Sequence, residues 1–296
     1  MPAVAEPPVP TPAPTTPVRD ITLGHSPDPD DAFMFYPLAA GTLKTPGLNF
    51  VHILQDIQTL NERATRGELD VTAISIHAYA FVQDKYALLT SGASFGDRYG
   101  PMIVTRRPMS LAEARQLTIA VPGTMTSAFL ALRLCIGDFA YRVVPFDEII
   151  PQVVRGEADA GLIIHEGQLT YAASGLHKVI DLGEWWYDLT GGLPLPLGGN
   201  AIRKDLGPEL LSRCNVILRR SIEMALADRG PAVRHSMKYA RDMEGDLALA
   251  DKFVGMYVNG LTLDYGERGR RAVELFLRKG HEAGYLPHPV AVEFVA

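Results

Sequence analysis

From Asp20 onward, short apolar runs alternate with stretches of helical periodicity, a pattern that predicts an α/β protein. "ITLGHS" reads as a first strand. "DPDDAFMFYPLAAG" reads as a helix with Asp28 as N-cap, Pro29 at its first position, Asp30 and Asp31 in its first turn and Gly41 as its stop. "LNFVHIL" follows as a second strand, "DIQTLNERATRGE" as a second helix and "LDVTAISI" as a third strand. The logic then recurs. "RGELDVTAISIHA" at residues 66–78 has a later counterpart, "RGEADAGLIIHEG" at residues 155–167, in which "FDEIIPQVVRGE" is the helix, Gly156 helps end it and "ADAGLIIH" is the strand. Each unit runs on into a further strand and a Gly-bearing loop, "YALLTSGASFG" and "HKVIDLGEWW". Two such units predict two α/β lobes, with the C-terminal ends of their strands carrying loops to a shared crevice.

The intervening chain sets the expected boundaries. "MIVTRRP" reads as a strand leaving the first lobe, and "LTIAVPG" as the first strand of the second, followed by a helix from about Thr126. "GGLPLPLGGNAIRKDL", dense in Gly and Pro, reads as the return crossing. Four helical patterns follow, at residues 208–228, 232–243, 247–257 and 265–283, and are expected to pack on the first lobe. The division is then a Pro-rich, disordered tail at 1–19, a discontinuous first lobe at 20–108 and 192–296, and a second lobe at 109–191. Two crossings between lobes make a hinge that permits closure around a ligand.

Composition narrows the function classes. With 296 residues, 47% hydrophobic and 21% charged, the chain can bury one large core or two ordinary ones. A net charge of -6 with scattered signs leaves no electrostatic footprint for nucleic acid, and the basic cluster "GERGRR" at 266–271 reads as the solvated face of a late helix. Cys135 and Cys214 lack CxxC or metal-ligand spacing, which fits a reducing compartment. The N-terminal segment lacks the basic start and apolar core of a secretory signal, and no later run is long and apolar enough to span a bilayer. A cytoplasmic protein without membrane or nucleic-acid partners is expected.

Candidate chemistry clusters at strand ends. His165, in "IIHEG", sits just past a strand in a Gly-containing loop, where an imidazole can serve as a base at neutral pH or be satisfied by local hydrogen bonds. The fifth position from His165 is Leu169, so the HExxH zinc motif is absent, and no other spacing supports a metal. In "VPGTMTSAFLAL", Thr124, Thr126 and Ser127 occupy a strand-to-helix turn, where capping accounts for one hydroxyl and anion binding would use the rest. The acids of "HSPDPDDAF" fail the EF-hand pattern and read as helix-start residues, with Ser26 facing the cleft. Strand alternation in "SIHAY" would point Ser75, His77 and Tyr79 the same way. Trp185 and Trp186 could either stack on a ligand or pack a lobe. No GxGxxG, Walker A or Ser elbow is present, so no cofactor is expected.

Taken together, "HSPDPDDAFMFYPL", "VPGTMTSAFLAL", "LIIHEGQLTY" and "GEWWYDLTGGLPLPLGGN" resemble the 1,4-dihydroxy-6-naphthoate synthases of the futalosine route to menaquinone, from about Ile21 to the C-terminal helices. The resemblance implies a two-lobed, type 2 periplasmic-binding-protein-like fold. It also implies a carbon–carbon lyase that converts cyclic dehypoxanthine futalosine, a small carboxylate-bearing substrate, without metal or organic cofactor. His165 would be the base, with Thr126 and Ser127 touching substrate from one lobe and Ser75 from the other. The first motif departs from the family's frequent SPCPND at Asp28 and Asp30. The alternatives are a solute-binding protein for a small carboxylate and the related chorismate dehydratase.

Overall fold

The computed structural model describes residues 18–164, 166–240 and 245–295. The Pro-rich segment up to residue 17, His165 and residue 296 lie outside them, as do residues 241–244, which include the end of the second late helical pattern.

Two sheets organise the chain. The first contains β1 (Arg19–His25), β2 (Leu48–Leu54), β3 (Val71–Ser75), β4 (Tyr86–Leu88), β5 (Ser94–Gly96) and β11 (Leu195–Arg203). The second contains β6 (Met102–Thr105), β7 (Ile119–Val121), β8 (Tyr141–Val143), β9 (Ala160–Ile163) and β10 (His177–Asp181). In the first, β1 runs parallel to β2 and β3, and β11 is antiparallel to β3, β4 and β5. In the second, β7 is parallel to β8 and β9, and β6 is antiparallel to β9 and β10. The repeated strand–helix unit is thus present once in each sheet, as the α/β pattern predicts.

The main helices are α1 (Pro29–Ala39), α2 (Ile57–Thr65), α3 (Ser127–Ile136), α4 (Ile149–Arg155), α5 (Leu182–Thr190), α6 (Pro208–Ala227), α7 (Arg229–Ser236), α8 (Leu247–Tyr257) and α9 (Gly266–Glu282). Their starts follow local chemistry. Asp56 caps α2 by accepting from Thr59 N, and Thr126 caps α3 by accepting from Phe129 N. Asp181 caps α5 by accepting from Gly183 N and Glu184 N. Asp28 precedes Pro29 in extended backbone at the start of α1, and its side chain makes no capping hydrogen bond.

Three local expectations differ from the structure. Met102–Thr105, read as a strand leaving the first lobe, is hydrogen-bonded between β9 and β10, so the second sheet begins at Met102, before residue 109. The Gly/Pro-rich segment read as the return crossing is largely a strand: nine of its residues form β11, whose partners β3, β4 and β5 supply the hydrogen bonds that the local sequence does not advertise. Gly is tolerated there because a neighbour approaches closely. A Cβ on Gly199 would lie 2.3 Å from the Tyr265 hydroxyl oxygen. Third, "IHAY" is a helical turn, Ile76–Tyr79, so strand alternation ends at Ser75 and does not orient His77 or Tyr79. Side chains take over the backbone donors at this point: Ser75 N donates to Asn61 Oδ1 at 2.9 Å and His77 N donates to Ser127 Oγ at 3.1 Å.

The cores sit under and between the sheets. One cluster gathers Phe33, Met34 and Phe35 of α1 with Leu218, Ile222 and Phe253 of the late helices, so α6, α7 and α8 cover the first sheet. Another joins Ile74, Phe95, Leu130, Trp186 and Phe276 and ties the two sheets together through α3, α5 and α9. Trp186 is fully buried, donates from Nε1 to Pro194 O at 3.0 Å and meets Phe276 edge-on. It packs a lobe junction.

Candidate active-site cleft

Four of the hydroxyl residues singled out in the sequence come together, and Thr124 is not among them. Ser26, Ser75, Thr126 and Ser127 all line one cleft. Its first-sheet wall is the end of β1 and the start of α1 (Ser26, Asp28, Asp30, Asp31), and its floor is the end of β3 with Leu197–Asn200 of β11. The opposing wall is the turn into α3 and Ile164, the residue after β9. His165 follows Ile164 in the chain and lies outside the described residues. Neither tryptophan of "GEWWYD" lines the cleft.

Much of the hydroxyl chemistry is already committed within the protein. Thr126 Oγ1 donates to Gly123 O at 2.9 Å while it caps α3. Ser127 Oγ donates to Leu197 O at 2.5 Å and accepts from His77 N. Ser75 Oγ accepts from Asn61 Nδ2 at 3.0 Å. The backbone N–H groups of Ser127 and Ala128, first in α3, have no helical acceptor and sit on the cleft wall. A carboxylate set there would gain both donors and the positive end of the helix.

Several contacts span the two walls. Met125 N donates to Gln58 Oε1 at 3.1 Å, and His77 Nδ1 donates to Thr126 O at 3.1 Å. On the far side, the Tyr257 hydroxyl of α8 donates to Gln168 Oε1 at 2.6 Å, three residues beyond His165 in the chain. Gln168 and Tyr257 are both buried. Sequence reasoning missed Asn61, Gln168, Tyr257 and Asn200, because a polar residue in a helix or strand carries no local mark of the partner it meets across the fold.

Charge in the cleft is carried by acids. Asp31 is 8% exposed, and one of its oxygens accepts from Ser26 N at 2.7 Å and Ser26 Oγ at 2.9 Å. Burial pushes its carboxyl up to about 6 despite those donors. Asp30 is shifted well above the carboxylate range, chiefly by burial and then by the neighbouring Asp31 and Asp28. Among the described residues, no Lys or Arg lines the cleft. Ser26, expected to face the cleft, does so, but its hydroxyl is directed at Asp31.

A family model described as menaquinone biosynthesis matches residues 21–282. The chain belongs to the menaquinone biosynthesis family. It is 40% identical over 275 residues to the 1,4-dihydroxy-6-naphthoate synthase of Thermus thermophilus, covering 92% of this chain and 99% of that one. The corresponding enzyme of Streptomyces coelicolor is 38% identical over 274 residues, 90% of this chain and 95% of that one. A crystal structure of a protein from Archaeoglobus fulgidus superposes with a TM-score of 0.85 at 44% identity, covering 90% of this chain and 98% of that one. The alkanesulfonate-binding protein of Xanthomonas axonopodis superposes with a TM-score of 0.69 at 11% identity, over 93% of this chain and 97% of that one, and shows the fold alone. The fold of this menaquinone biosynthesis family member is therefore periplasmic-binding-protein-like, as the resemblance implied, and the protein is an enzyme of that biosynthesis.

Two buried histidines, His25 and His77, and the half-buried His52 flank the site in neutral form. His25 Nδ1 donates to Ser26 O at 3.2 Å, so its Nε2 accepts from His52 Nδ1 at 2.9 Å. Burial pushes His25, His52 and His77 down to about 4. Each therefore binds fewer protons folded than unfolded between pH 6.5 and 4, and stability from these groups is lost as pH falls through that window. Asp30 and Asp31 act in the opposite sense, since their raised carboxyls favour the folded state as they protonate. His77→Asn keeps a donor for Thr126 O and removes one titration. In urea unfolding from pH 6.5 to 4 it should lose less stability than wild type, by up to about 1.4 kcal/mol per pH unit. Parallel curves would show that His77 is not neutral in the folded protein.

Proposed function

We propose that the cleft converts cyclic dehypoxanthine futalosine to 1,4-dihydroxy-6-naphthoate by carbon–carbon cleavage, with His165 as base and no metal or organic cofactor. The observation that carries this reading is the convergence of Ser26, Ser75, Thr126 and Ser127 on one cleft whose wall ends at Ile164, the residue before His165. Identity of about 40% over nearly whole chains to two synthases of that name supports the product.

The chemistry runs as a retro-aldol-like step. His165 takes the proton of a hydroxyl on the sugar portion, that oxygen becomes a carbonyl, and the adjacent C–C bond breaks. Its electron pair passes into the ring ketone as an enolate, which gains a proton as the ring becomes aromatic. No net oxidation occurs, and the electron sink belongs to the substrate. The N–H groups at the start of α3 hold the substrate carboxylate, and Ser75 and Ser127 set the orientation of the remainder. Closure of the two lobes about their crossings excludes water from the enolate. Such an enzyme acts in the cytoplasm on a free small molecule.

Purified protein incubated with cyclic dehypoxanthine futalosine, without added metal or cofactor, should release 1,4-dihydroxy-6-naphthoate, followed by chromatography with mass detection. Substrate binding without any product, from folded protein, would replace this reading with that of a carboxylate-binding protein.

A further inference from the structure

The acids of the cleft are not equivalent. Asp31 spends one oxygen on two donors from Ser26, a built-in carboxylate site. Asp30, in the same first turn of α1, also lines the cleft, yet no side chain among the described residues hydrogen-bonds it. Only N–H groups of its own turn, at Asp30 and Asp31, face its carboxyl. The titratable groups around it are Asp28 and Asp31 from α1 and Tyr257 from α8. The other helices packed on α1 engage it farther along, with Arg229 of α7 over Phe33 and His235 of α7 against Tyr36, and α6 meets it through the Ser221 hydroxyl on Met34 O. Three carboxyls in one turn, without a cation lining the cleft, cannot all ionise cheaply, because each charged one raises the cost of charging its neighbours. Asp31 holds the backbone and side-chain donors of Ser26, whereas Asp30 has only the N–H groups of its own turn, so Asp30 is the carboxyl that keeps its proton and, lining the cleft, can offer its O–H there.

We propose that Asp30 is a further catalytic residue: a neutral carboxylic acid whose O–H hydrogen-bonds the substrate's ring ketone oxygen and strengthens as that oxygen takes up the electron pair of the breaking C–C bond. This rests on the reaction proposed above. The proton stays shared between Asp30 and the enolate oxygen through cleavage, while the proton removed from the sugar hydroxyl resides on His165, so charge and atoms balance without a further reactant. A donor that meets charge only as it develops acts on turnover more than on substrate binding. An ionised Asp30 would instead repel both the substrate carboxylate and the enolate.

The test compares wild type, Asp30→Asn and Asp30→Ala across pH 6 to 9.5, with folding checked by circular dichroism. Asn keeps a donor of similar reach and cannot ionise, so D30N should retain kcat within about tenfold and lose the alkaline fall of wild type that Asp30 ionisation causes. D30A should lower kcat by about 10²-fold with KM little changed. The proposal is overturned if D30N is as inactive as D30A, if D30A turns over normally, or if the alkaline limb persists in D30N. Should wild type yield no product at any pH, the reaction assigned to the cleft fails, and Asp30 is then judged by infrared difference spectra of wild type against D30N at neutral pH. A protonated-carboxyl band lost in D30N supports the neutral acid, and its absence overturns it.

Discussion

Replacing His165 by alanine should lower turnover of cyclic dehypoxanthine futalosine by about 10²–10⁴-fold, the usual loss when a positioned general base is removed. Binding of 1,4-dihydroxy-6-naphthoate, followed by its fluorescence or by calorimetry, should stay within a few-fold of wild type. The reason lies in the division of labour in the cleft. In the proposed reaction the carboxylate is held by the first N–H groups of α3 and the remainder is oriented by Ser75 and Ser127, all on the cleft wall or floor, and His165 supplies none of these. A fall in kcat and kcat/KM together would mark loss of an interaction made only in the transition state. Full activity in the alanine variant would remove His165 from the mechanism and send the search for a base back to the cleft walls.

The largest stability effect expected outside the site comes from Gly183→Ala. Gly183 is in the first turn of α5, where its N–H donates to Asp181 Oδ1 at 2.8 Å, and the chain between the two sheets passes directly over it. A Cβ there would lie 1.9 Å from Tyr99 O and 2.8 Å from Gly100 N. Both are backbone atoms, so no side chain can rotate away, and either the crossing or the cap has to move. Overpacking of this kind costs about 3 kcal/mol or more. Urea unfolding reads it directly, with Gly260→Ala as the control, since a Cβ at Gly260 meets nothing within 4 Å. Equal midpoints for the two variants would show that the crossing over α5 yields readily.

What was legible in the chain, and what was not, divides along local and long-range lines. The helix starts at Asp56 and Thr126 carry their own chemistry, and the paired "RGE" units close two helices and lead into two strands whose far ends their apolar content makes visible. The hydroxyls at those ends could be nominated for the same reason: strand termini and helix N-termini are where orphan donors collect. By contrast, β11 contains Pro196, Gly198 and Gly199, and its propensity argues against a strand. Only pairing with β3, more than a hundred residues earlier in the chain, makes it one. Placement of Met102–Thr105 in the second sheet depends on partners at residues 160–163 and 177–181 in the same way. Ser26 was found but its attachment to Asp31 was not, and the Tyr257–Gln168 contact joins positions 89 apart. The unusual state of Asp30 arises from what surrounds it, which the composition of one turn cannot display.

β11 leaves the second lobe only a few residues after α5 and at once becomes the floor of the cleft, held by β3, β4 and β5. The strand under the substrate and the tether between lobes are therefore one piece of chain, clamped at one end like a cantilever. Were the second lobe to rotate, the segment before Leu195 would bend while Gly198 to Ile202, paired with β3, would hold their register. Such a closure would change the width of the cleft and leave its depth. A ligand can be gripped more or less tightly across the walls, but it rests on a datum that does not travel.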